Sequence, residues 1–406
     1  MSSIVIAGDT SGSVTLQAPA VAGSTTITLP ATSGTLLQSG TTVTEAQGGI
    51  GTTVGYNGFK NRIINGNMRI DQRNAGASYN QVNGQYSLDR WAGNSFDGGA
   101  ATNKFSVIQS STAPTGFSNS LLVTSLAATS SGASNIFNIE QKIEGFNFAD
   151  FLYGTASAQT LTLSFWVRSS LTGTFGGALK NSARNRAYPF TYTISAANTF
   201  EQKTITITGD TSGTWVGSTN GTGLWISFGL GVGSTYSGTA GAWGGGDVFS
   251  ATGATSVVGT NGATWYITGV QLEKGSTATS FDVRPYGTEL YLCQRYFQSY
   301  AGIGNTRFGI GSCTGTSVTD APFNFIVPFR TAPSVTLPPT ANGGNSITYL
   351  TATGNYPTVV GTISASIITV NSCLLGGTGF TGAFVAGNTS QLYASGTCSI
   401  TASAEL

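Results

Sequence analysis

Ionic side chains are scarce in this sequence: 17 Lys and Arg and 16 Asp and Glu in 406 residues, or 8% charged, against roughly 25% in an ordinary soluble domain. Long surface helices draw on Glu, Lys and Arg to meet water, so this chain is poorly equipped to build them. A surface of hydroxyls and backbone suits short strands joined by glycine turns, and 57 glycines supply the turns. The expected fold class is therefore all-β. A net charge of +1 argues against capture of nucleic acid, which needs clustered Lys and Arg. No run of about 18 apolar residues is present, so no membrane-spanning helix is expected.

Histidine is missing altogether. That excludes Ser-His-Asp and Cys-His nucleophile systems and His-ligated zinc. Carboxylate chemistry stays open, as in glycosidases. Glu140 and Glu144 lie near Asp150, but their surroundings read as an exposed strand-to-loop region, and no catalytic residue is expected. Cys293, Cys313, Cys373 and Cys398 form no CxxC pair, so no metal site is expected, nor any cofactor. They are expected as buried thiols acting as small hydrophobes, although four cysteines could pair in three ways.

Along the chain, residues 1–40 hold short strands at Ile4-Val5-Ile6, Val14-Thr15-Leu16 and 26–29, with a turn at 8–12. This segment has too few large apolar residues to bury a core alone. Residues 41–58 have linker composition. Residues 59–286 read as an antiparallel sandwich or jelly roll. Leu161, Leu163, Phe165 and Val167 alternate with polar residues, and Leu224, Ile226, Phe228 and Leu230 leave Trp225 on the opposite face. Residues 287–300 are expected as a helix, with Leu290, Cys293, Phe297 and Tyr300 sharing a face. Residues 301–406 read as a second β-domain. Pro328 should end or edge its strand, and the last strand should lie inside the fold. The opening Met-Ser-Ser-Ile-Val-Ile lacks the features of a signal peptide, which points to synthesis in a cytoplasm.

Several motifs occur in a telling order: "NRIINGNMRIDQRNAG" (61–76), "YSLDRWAG" (86–93), "GVQLEKGSTATSFDVRPYGTELYLCQRYFQSY" (269–300) and "FIVPFRTAPSVT" (325–336). The combination resembles bacteriophage tail-fibre and virion-appendage proteins, in which a jelly roll similar to carbohydrate-binding modules hands over to a C-terminal tip. The resemblance implies a homotrimer in the virion. It implies attachment to a tail or baseplate protein through residues 1–40, and adsorption to a host surface glycan or lipopolysaccharide. A head fibre, a capsid decoration protein and a polysaccharide-degrading tailspike are the alternatives. Within the motifs, Asp71 with Arg73 and Asp89 with Arg90 are expected as structural pairs, with Trp91 packed beneath. Neither nucleic acid nor membrane insertion is implied.

Sugars offer apolar C–H faces rimmed by hydroxyls, and proteins meet them with exposed aromatic rings beside polar groups. Tyr236, Trp243 and Asp247, in the Gly-rich stretch 231–262, are candidates for such contact or for subunit packing. Tyr356, Phe380 and Phe384, in loops of the last domain, are the candidates at an expected receptor-binding tip.

Overall fold

In the computed structural model the described residues are 3–7, 13–17 and 60–406, except 99, 131, 303–305, 342–343, 352–356, 358–359 and 382–383. The chain divides into two units, Met1–Gly58 and Phe59–Leu406. In the first, Ser3–Ala7 and Ser13–Gln17 pair antiparallel, with Val5 opposite Thr15. The expected turn at 8–12, the third strand and the 41–58 linker lie outside the described residues.

In the second unit, two antiparallel sheets face each other across a hydrophobic core, as in a jelly roll. The smaller sheet runs in the order Glu201–Ile207, Leu161–Ser169, Thr264–Lys274, Ser120–Ser125, Phe105–Ser110, Tyr79–Asn80. The larger runs Gly244–Gly245, Arg186–Ile194, Gly173–Lys180, Thr222–Val232, Ile136–Glu144, Trp91–Asp97, Gln85–Leu88, with Ala100–Ala101 on the side of Trp91–Asp97. The alternation sends Leu161, Leu163, Phe165 and Val167 from one sheet against Leu224, Ile226, Phe228 and Leu230 from the other, all fully buried.

The first ten residues of the motif, 61–70, form a largely buried loop in this body. Such a loop must satisfy its backbone internally, and its asparagines do so. Asn61 Oδ1 accepts from Ile63 and Leu272 N–H, while its Nδ2 donates to Val270 O. Asn65 exchanges bonds with Ile70 N and O and donates to Asp89 O. Gly66 is required: a Cβ there would stand 2.2 Å from Val270 O. Arg284 closes the clamp from the far end of the jelly roll, donating to Ile63 O and Asn61 O and pairing with Glu289.

The helix is shorter than its spacing suggests. It spans Tyr286–Gln294, and Phe297–Gly302 then forms a strand paired with Cys398–Ser403. Cys293 packs with Ile64, Ile70 and Tyr296, and Leu290 lies against them. Phe297 and Tyr300 instead belong to the strand. The ladder to Cys398–Ser403 supplies the backbone bonds that a longer helix would have made, and it overrides the three-and-four spacing.

The C-terminal region has its own core between two sheets. One has six strands in the order Ile347–Thr351, Thr389–Ala394, Arg307–Cys313, Val318–Asn324, Ser372–Thr378, Thr362–Ser366. The other has three, with Cys398–Ser403 in the middle between Phe297–Gly302 and Ser334–Thr336. The last strand is thus interior, as expected. The strand Val318–Asn324 ends before Pro328, and Phe325 and Phe329 turn into the core edge-to-face at 4.9 Å. All four cysteines are buried and unbridged, and burial pushes the Cys373 thiol up to about 11.

The two cores meet across an ionic seam. Glu405, after the last strand, pairs with Arg73 (2.6 Å) and with Arg90. Arg90 is 1% exposed and stacks on Tyr296 at 3.6 Å. Arg295 and Tyr296 both donate to Glu144, at 2.7 Å each, and Arg330 donates to Ala404 O and Asn220 O. This corrects three expectations. Asp71 does not pair with Arg73 but caps its own turn at Asn74 and Gly76 N–H. Asp89 accepts from Gln72 N and Nε2 rather than from Arg90. Glu144 is buried, not part of an exposed edge. For the first two the reason is that Arg73 and Arg90 take Glu405 as their carboxylate at the seam, while Glu144 is covered by Arg295 and Tyr296.

Two outcomes are expected. Glu405→Ala strands a buried guanidinium and should lower the unfolding free energy in denaturant by about 3 to 5 kcal/mol; a loss under about 1 kcal/mol would contradict the seam. Burial also raises the Asp89 carboxyl to about 6, against the Arg73 charge and the Gln72 bonds. The folded chain therefore holds a proton that the unfolded chain releases near pH 4. Stability from this group is full below that pH and falls as pH rises to about 6, by at most about 3 kcal/mol. Asp89→Asn should flatten the slope of unfolding free energy across that window.

Candidate functional site

The outward face of the larger sheet gathers polar side chains around one indole. The same alternation that buries Leu224 and Ile226 turns Trp225 and Ser227 outward, and in the neighbouring strands it turns out Asn138, Glu140 and Lys142, Lys180, and Asn94. The register sets them in rows: Lys180, Trp225 and Lys142 in one, Ser227 and Glu140 in the next, Asn138 and Asn94 in the third.

A loop covers one side of this face. The segment around Phe249 and Ser250 lies flat on the sheet because Gly176 and Gly229 leave room: a Cβ at either would meet Ser250 Oγ at 2.5 Å. Ser227 Oγ donates to Phe249 O (3.0 Å) and accepts from Asn138 Nδ2 (2.8 Å). On the other side stands the seam, where Lys142 Nζ and Tyr86 Oη donate to Leu406 O. Trp225 lies half-buried between loop and seam, and its Nε1–H has no partner among the described residues.

Three cations converge on that indole. Lys142 Nζ is 4.3 Å from the ring centre, Lys180 Nζ 4.6 Å and the Arg184 guanidinium 5.7 Å. Lys180 is fully buried, 3.0 Å from the Phe249 ring centre and 2.9 Å from Asp247; burial brings its amine down to about 8, with Glu140 and Asp247 opposing. Burial would raise Asp247, but the Arg184 hydrogen bond and the Lys180 charge prevail and hold it below its ordinary value. Glu140 accepts from Asn94 and Asn138 amides at 3.0 and 3.1 Å. The face thus presents a half-buried indole and the more exposed Arg184 above a buried polar layer of Asn138, Glu140, Ser227 and Lys180.

The sequence candidates scatter. Asp247 reaches this face. Tyr236 sits beside it, edge-on to Phe249 at 6.0 Å. Trp243 joins an aromatic nest with Tyr153, Tyr188 and Trp215, and donates to Thr208 O. Phe380 and Phe384 are interior, 0% and 4% exposed, packed edge-to-face on each other, with Phe380 also edge-to-face on Tyr349. Tyr356 lies outside the described residues. Glu140 and Glu144 share a strand face with Cα atoms about 13 Å apart, and they serve different partners. Trp225 was signalled in sequence as the outward member of an alternating run; Lys180 and Arg184 carried no such signal. A cavity lined by Asn61, Arg62, Ile64, Asn147, Arg284 and Leu292 has its main polar groups occupied by the 61–76 clamp and by the Arg62–Asp150 pair.

No family model matches the sequence, and no curated protein matches it. Among solved structures, the chain is similar to a putative sugar binding protein from Bacteroides thetaiotaomicron (11% identity, TM-score 0.31, covering 53% of this chain and all of that one). It is similar to discoidin II from Dictyostelium discoideum (10%, TM-score 0.16, 73% and 86%). It is also similar to the CBM22-1-CBM22-2 tandem domain of Paenibacillus barcinonensis Xyn10C (6%, TM-score 0.21, 82% and 100%). Likenesses this distant carry no functional weight.

Removing Asp247 leaves Lys180 buried without its carboxylate. Asp247→Ala should cost about 3 kcal/mol in denaturant unfolding. An unchanged midpoint would mean that Lys180 is neutral in the folded chain.

Proposed function

We propose that this protein is a carbohydrate-binding structural component of a bacteriophage particle. In this reading it is a homotrimeric tail fibre, joined to the tail through residues 1–40, that holds a host surface glycan without a catalytic step. The phage assignment and the trimer rest on the motif resemblance, and on an N-terminal segment too poor in large apolar residues to bury a core alone. Glycan binding rests on one observation, the half-buried Trp225 set among Asn94, Asn138, Glu140 and Lys142 on an outward sheet face. A sugar ring can lie against the indole, with the exposed Arg184 and the half-buried Lys142 beside it for its oxygens. The contact is assigned here rather than to the 301–406 loops, because Phe380 and Phe384 are core residues. Weak contacts repeated in a trimer would add by avidity.

Binding of host surface polysaccharide to the purified full chain, followed by calorimetry, tests this. Trp225→Ala should weaken it at least about tenfold, or ~1.4 kcal/mol. A parent protein that binds no saccharide, or a variant that binds as well as the parent, would overturn the assignment.

A further inference from the structure

We infer that the Trp225 face takes an anionic saccharide, with the sugar ring against the indole and a carboxylate or sulfate held at Arg184 or at Lys142. The inference rests on the glycan reading above and narrows it to a ligand class. Three of the chain's 17 Lys and Arg residues stand within 6 Å of one indole centre. A sequence this poor in charge does not produce such a cluster by spreading its cations evenly.

The disposition of the charges matters as well as their number. Five charged side chains face this site: Lys142, Lys180 and Arg184 against Glu140 and Asp247. The carboxylates are drawn inward. Glu140 is 3% exposed and held by two amides. The Asp247 side chain is 21% exposed and lies against Lys180 at the floor. Arg184 is 46% exposed and shares Asp247 with Lys180, and Lys142 is half-buried and donates to Leu406 O. Three cations against two carboxylates leave this face with a net positive charge, and Arg184 is its most exposed member. A neutral sugar would use only the indole, whereas an anionic sugar would also gain a charge-assisted bond at Arg184 or at Lys142. Lys180, enclosed by Phe249 and paired with Asp247, sets the floor and does not reach the ligand.

Matched oligosaccharide pairs test this with the full chain: oligouronates against their carboxyl-reduced forms, and sulfated oligosaccharides against desulfated ones. At about 50 mM salt at least one charged member should bind about tenfold tighter than its neutral partner, and the advantage should shrink at about 500 mM. The responding pair tells carboxylate from sulfate. Arg184→Gln, with an unchanged unfolding midpoint, should cut charged-ligand affinity about fivefold and lower its salt dependence. Equal binding within every pair would overturn the anionic preference while leaving glycan binding standing. Absence of binding to every charged and neutral member would sink both.

Discussion

A guanidinium buried between two hydrophobic cores has to find a carboxylate, and the arrangement of Phe59–Leu406 follows from that need. Arg90 sits at the edge of the larger sheet, nearly without solvent, and Glu405 comes to it from the end of the last strand. Bringing Glu405 there requires that strand to run through the middle of a three-stranded sheet. It also requires the helix to stop at Gln294, so that Phe297–Gly302 can pair with the strand. Arg73, Arg295 and Arg330 then complete the seam around the same chain end. Breaking such a pair costs more than the pair itself is worth, because the remaining charge is stranded. The seam therefore works as a condition on how the cores dock rather than as a large source of stability.

The same seam shapes the candidate site. Leu406 O accepts from Lys142 and Tyr86, so the docked C-terminal segment forms one wall beside Trp225. The opposite wall exists because two glycines let Phe249 and Ser250 lie on the sheet. The site's base is thus strand-borne, and what flanks it comes from elsewhere in the chain. Strand-borne groups are held in register by the ladder, which is the preorganisation that a weak polar ligand needs.

Local features were legible in the sequence, and long-range ones were not. The alternating runs at Leu161–Ser169 and Thr222–Val232 gave away their buried faces, because a period of two is written within eight residues. Pro328 was a poorer guide, because the strand ends at Asn324, four residues before the proline. The helix was legible only in its first half, since its end depends on a partner strand a hundred residues on. Glu405 meets Arg73 and Arg90 across more than 300 residues, and no spacing rule reaches so far. Phe380 and Phe384 looked like loop residues among glycines. In the fold the small neighbours make space for the rings: a Cβ at Gly377 would stand 2.8 Å from the Phe380 ring. The outward Trp225 was visible, but the cations around it come from a turn and two strands whose neighbours only folding selects.

The central claim is that a buried ionic seam makes the two β-cores of residues 59–406 a single cooperative body. Scanning calorimetry of the full chain tests it most directly, because the ratio of calorimetric to van't Hoff enthalpy counts the units that melt together. One transition for this region, with a ratio near one, is the result that the seam predicts. Two separable transitions, one for each core, would contradict it.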